Sequence, residues 1–176
     1  MILRTSIVVG SLAVALAGTA GAQDPMALKR DWERSKKNVV AYVQAMPETA
    51  TDFQPTPGVR TFAQQFEHIV ASNAEIAAVT LKGMKAGPVL GDSAKYLHNK
   101  AALVAYVTAS YDYVLAALSQ SKPADFGKSV SVWDLPAQPV GRWLEMSLEH
   151  SVWTLGQVVP YLRLKGATPP SYDIPF

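Results

Sequence analysis

Three histidines, His68, His98 and His150, carry what coordination or proton-transfer chemistry this chain can offer. Imidazole is the side chain best suited to either task near neutral pH. The chain has no cysteine, which removes thiolate ligands, a thiolate nucleophile and disulfides. No Ser-His-Asp arrangement, phosphate-binding glycine loop or dinucleotide fingerprint is present. His150 opens the run "HSVWTLGQVVPYLRLKG", which reads as a helix ending at Gly166. A helical metal site commonly repeats its histidine four residues on, and here Thr154 stands at that position. A threonine hydroxyl is a poor transition-metal ligand beside imidazole. His150 is therefore the remnant of a ligand pair, half of a weakened one, or a core histidine with a satisfied hydrogen bond.

Four helical segments must position these residues. The first begins at Asp24-Pro25, a cap followed by proline at the first helical position, and stops before Pro47. Leu28, Trp32, Val39, Val43 and Met46 mark its apolar face. The second opens at Thr61 with Gln64 three residues later, a capping box, and fades at Gly83. Phe62, Phe66, Ile69, Asn73 and Ile76 form its stripe, with His68 at the rim beside Gln65 and Ser72. The third spans about 93–118, with Tyr96, Leu103, Val107, Val114 and Leu118 on its core side and His98 off the stripe, at the surface. The fourth covers about 141–165 and is apolar almost all round, apart from Glu145 and Glu149 on one edge. Trp143, Met146, His150, Thr154, Gln157, Tyr161 and Leu164 are read as one inward arc, and Leu148 as core. Pro160 deprives the Gly156 carbonyl of its helical donor and is expected to bend the helix, while Gly156 permits close approach of a neighbour. Residues 119–139 form a long connection, of a length that often covers a site. Strand alternation, internal repeats and low-complexity tracts are missing. The pattern predicts an all-α antiparallel four-helix bundle.

Arg4, the apolar run from Ser6 to Gly18 and the small residues of "AGA" before Gln23 have the form of a signal peptide over residues 1–22. A bundle domain over 23–176 is expected to follow, periplasmic or secreted, with no later transmembrane segment. Arg4 is the only charged residue of that leader, so the remainder carries a net charge of +1. "KRDWERSKK" mixes signs, with Glu33 and Lys37 spaced to pair on a solvated helix face. There is no basic stripe with interleaved aromatics, so nucleic acid is excluded as a partner.

"MPETATDFQPTPGVRTFAQQFEHIVASN" (46–73) and "HSVWTLGQVVPYLRLKGATPP" (150–170) resemble the DinB-like superfamily. That resemblance implies an up-down-down-up four-helix bundle, often a homodimer. It also implies a nickel or zinc ion held by one histidine of the second helix and two of the fourth, and, in some members, thiol-dependent transfer. Carried across, His68 and His150 match metal-ligand positions, Thr154 replaces the third, and His98 matches none. Gln157, Trp153 and Tyr161 are assigned to the cavity lining. Two functions follow as expectations. One is a metal-free bundle that binds a small molecule or serves in envelope stress or interaction. The other is a metal-dependent thiol transferase or hydrolase using His68 and His150.

Overall fold

In the computed structural model, residues 24–174 are described; the expected leader, residues 1–22, lies outside them. The main helices are α1 (Pro25–Ala45), α2 (Phe62–Lys82), α4 (Lys100–Gln120) and α5 (Val140–Leu164), with a single-turn α3 (Ser93–Tyr96) leading into α4. Asp24 caps α1 by accepting from the Met26 amide. Thr61 and Gln64 form the capping box of α2, and Gly83 closes that helix at φ 64°, a conformation that favours glycine.

Pairs between helices fix the topology. Ser35 of α1 meets Tyr111 of α4, and Lys100 at the start of α4 reaches the Met46 carbonyl at the end of α1, so these two run antiparallel. Glu67 and Met84 of the α2 region bond Tyr96 and Tyr113 respectively, so α2 and α4 run parallel. Gln65 meets Tyr161 and Asn73 meets Ser151, so α2 and α5 are antiparallel. The result is the up-down-down-up four-helix bundle, with α1 and α2 each packed against both α4 and α5.

The expected stripes of the first three segments are buried, with Trp32, Val43, Phe62, Phe66, Ile69, Leu103, Val107 and Val114 fully so. A polar layer crosses this core. The Tyr111 hydroxyl bonds Ser35 at 2.8 Å and also Ser151, which accepts from Asn73 Nδ2 at 2.9 Å. Each main helix contributes one member, and such a layer fixes the helices' relative register.

Four expectations need correction. The third segment is not continuous: it breaks at 97–99, where Asn99 caps α4 by accepting from the Ala102 amide. Lys37 turns to Asp173 at 3.1 Å rather than to Glu33, because the C-terminal tail passes beside α1. Asn38 holds that tail by bonding both the amide and the carbonyl of Asp173. A two-residue antiparallel ladder, Ser129–Val130 with Gln138–Pro139 (β1 and β2), lies within the long connection. Finally, α4 is long and apolar enough to cross a membrane by length and composition; here its apolar residues Leu103, Val107, Val114 and Leu118 face the bundle.

Candidate site: a histidine pair beneath an apolar lid

His68 and His150 come from antiparallel neighbours, α2 and α5, and their Nε2 atoms meet at 3.0 Å. The rings stand edge to face, with centroids 4.7 Å apart. Burial pushes both imidazoles below the usual histidine range, and the Arg60 guanidinium adds to the effect on each. The neighbouring His150 lowers His68 further. Both rings are therefore neutral at neutral pH. A hydrogen bond between them requires one to donate from Nε2–H and the other, protonated on Nδ1, to accept.

Both residues line a cavity of about 190 Å³. Ser72 and Ser147 also line it, while Ile76, Trp143, Met146, Trp133 and Leu135 supply apolar walls. The last two come from the long connection, which folds over the bundle as a lid. The Trp143 indole N–H donates to the Val130 carbonyl at 2.7 Å and ties that connection to α5. Between β1 and β2 the Leu135 amide donates to the Val132 carbonyl at 3.0 Å, with Trp133 and Asp134 at φ 53° and 59°. A turn with two positive φ values suits Gly, Asn or Asp. Asp134 tolerates it; Trp133 is strained there, and strain of this kind gathers at ligand clamps. His68 also lines a second, polar cleft of about 370 Å³, with Arg60, Gln64, Glu67 and Glu75.

The remaining predicted residues are dispersed. Thr154 is buried, at 3% exposure, one turn beyond His150. Tyr161 is buried but away from the cavity: its hydroxyl donates to the Arg60 carbonyl at 2.8 Å and accepts from Gln65 Nε2 at 3.2 Å. Trp153 is 70% exposed and Gln157 is also exposed, so neither lines the cavity. Both lie on the outer arc of α5, since a helix packed on α1 and α2 turns the arc opposite them to solvent. Leu164 is exposed on that outer side too, and Leu148 is only half-buried. His98 is exposed. The lid residues Trp133 and Leu135 were not named in advance; the length of the connection and its apolar content were the available signal.

The donor set can be weighed against a metal. Two imidazole nitrogens sharing one tetrahedral ion stand about 3.3 Å apart, so a 3.0 Å separation could be opened to admit one. Yet among the described residues no third histidine, aspartate or glutamate joins them in a group that could hold an ion. The position one turn after His150 offers only a buried hydroxyl. This set does not fit a resident nickel or zinc ion, which takes at least three protein ligands.

A family model for the DinB superfamily matches residues 31–158, and the chain belongs to that superfamily. Among solved structures, a DinB-like protein from Bacillus subtilis superimposes with a TM-score of 0.68 at 14% identity, covering 85% of this chain and 99% of that one. At that identity the likeness is one of fold. No curated protein matches the chain.

Proposed function

We propose that this DinB-superfamily protein binds a small, mainly apolar molecule in the lidded cavity, without a resident metal, and that it does so after export. The ligand's one polar group, a hydroxyl or carboxyl, sits on the His68–His150 pair. The observation that carries this reading is the direct 3.0 Å contact between two neutral imidazoles in the lining of a mainly apolar cavity. With the Nε2 atoms paired to each other, one ring keeps a bare Nδ1 acceptor and the other an Nδ1–H donor for a ligand. An apolar cavity of about 150 Å³ accepts benzene, so the space here suits a single-ring or fused-ring compound. Arg60 lines the neighbouring polar cleft rather than this cavity, and its charge acts on both imidazoles to disfavour their protonation. The strained Trp133 belongs to the wall that must close on the ligand.

Indole and phenol are suitable probes. Saturable shifts of the His68 and His150 ring resonances are expected on titration, and their loss when Met146→Trp fills the cavity. Ring resonances that ignore both probes up to their solubility would contradict the reading. A metal-dependent thiol transferase or hydrolase is the second reading, favoured by the convergence of two ring nitrogens on one point. Stoichiometric nickel or zinc in protein purified without a histidine tag would establish it over the first.

A further inference from the structure

The bundle order leaves α1 and α5 parallel, so Tyr42 near the end of one and Arg163 near the end of the other lie at the same end of the molecule. Beyond α5 the chain turns at Gly166, with φ 72°, and the Ala167 amide donates to the Leu162 carbonyl at 2.9 Å. Further on, Asn38 and Lys37 pin Asp173 to α1. The segment between these two anchor points contributes Thr168, Pro169 and Pro170 to a surface cavity of about 530 Å³, which Tyr42, Val159 and Arg163 also line. This cavity shares no lining residue with the lidded one.

Two of its groups have no use in the fold. Tyr42 is 6% exposed, yet its hydroxyl makes no hydrogen bond among the described residues. The unpaired polar atoms that are sealed from solvent lie on Trp32, Arg34, Gln65 and Asn73. The Tyr42 oxygen is not among them, so it opens on the cavity that the residue lines. Burial first, and the Tyr172 phenol second, push Tyr42 above the usual tyrosine range, while the Arg163 guanidinium opposes them. The phenol is therefore protonated at neutral pH and can donate. Arg163 is exposed and forms no ion pair or hydrogen bond among the described residues. A basic residue in a last turn often bonds the final carbonyls. Here the amides of Lys165, Gly166 and Ala167 already take those of Tyr161, Leu162 and Arg163. With the Thr168 hydroxyl, likewise unpaired, these groups surround one positive charge with donors, and no carboxylate lines the cavity. Such a set takes an oxyanion. A single guanidinium beside the partly negative C-terminal end of α5 suits one negative charge better than two, which selects a carboxylate over phosphate. Val159, Ala167 and the two prolines offer apolar surface to the rest of the molecule. We propose that this cavity is a second binding site, for an apolar organic acid, with Arg163 pairing the carboxylate and Tyr42 and Thr168 donating to it. The proline pair and the pinned tail hold the site in place before the ligand arrives, so little freedom is lost on binding.

Benzoate is the probe, followed through the amide resonances of Gly166, Ala167 and Thr168 in isotope-labelled protein expressed from the full chain. Saturable shifts are expected. Benzyl alcohol, which lacks the charge, and inorganic phosphate, which lacks the apolar body, should bind there at least about tenfold more weakly. Arg163→Gln should weaken benzoate by about tenfold or more and preserve the melting temperature, because Arg163 has no partner in the fold. Tyr42→Phe keeps the buried ring and removes only the hydroxyl, so it should weaken benzoate several-fold at an unchanged melting temperature. Amides that do not saturate with benzoate would overturn the proposal, as would a benzoate affinity indifferent to both substitutions. Phosphate bound as tightly as benzoate would refute the assignment to an apolar acid.

Discussion

Arg60, His68, His150 and Thr154 decide the chemistry at the residue scale. Both imidazoles are held below the ordinary histidine value by burial first and by Arg60 second. Their folded-state pKa values lie under the unfolded one, so at intermediate pH the unfolded chain binds more protons. The stabilisation is complete above about pH 6.5, the unfolded value, and is lost as pH falls from there toward the folded values. Urea midpoints at pH 8 and pH 5 should therefore differ more for the wild type than for His68→Gln/His150→Gln; equal differences would refute a neutral pair. Thr154→His makes a second test. A third imidazole one turn beyond His150 should raise zinc or nickel affinity by about tenfold or more, at some cost in stability because position 154 is buried. Titration calorimetry should show that gain, and His68→Ala should remove it. That His68 and His150 meet was legible from their helix positions and the family pattern. That Trp153 and Gln157 turn outward was not: α5 is apolar almost all round, so its sequence does not select which arc is buried.

Helix boundaries are local properties, and at the scale of the element most were readable. Asp24-Pro25, the Thr61–Gln64 box and Gly83 each end or begin a helix through contacts within a few residues. The break at 97–99 escaped because Tyr96 and Leu103, on either side, keep heptad spacing and are both buried. The lid escaped for another reason. Its place over the cavity depends on contacts such as Trp143 with Val130, and no local signal marks Trp133 as a positive-φ residue. Trp133→Gly should relieve that strain while removing a wall, so indole binding should be lost with the melting temperature preserved or raised. A variant that binds indole normally would show that the lid is not part of the site. On α5, Leu144 is fully buried whereas Leu148 is half-buried. Leu144→Asp should destabilise by about 3 kcal/mol or more, and Leu148→Asp by clearly less in the same denaturation series; the reverse order would mean that the helix is rotated from its described setting.

For the whole molecule, the up-down-down-up order brings α2 and α5 together as antiparallel neighbours. A histidine in the first half of α2 can then face one from the middle of α5 across 82 positions of sequence. The polar layer of Ser35, Tyr111, Ser151 and Asn73 holds the helices in that register, and burial pushes the Tyr111 hydroxyl up to about 12, so it stays protonated as a hydrogen-bonding group. Such long-range pairings follow from the fold, which is why the family pattern implied the meeting of His68 and His150 while the shape of the cavity waited on the structure. If the leader is cleaved, protein from its host begins at or near Gln23 and fractionates with the envelope; intact Met1 in the cytosol would exclude export. Native mass spectrometry of tag-free protein from the host tests the central claim most directly. The account predicts the mass of the chain without nickel or zinc, together with a small organic adduct that is absent from Met146→Trp. A stoichiometric nickel or zinc adduct on the wild type, lost in His68→Ala, would contradict it.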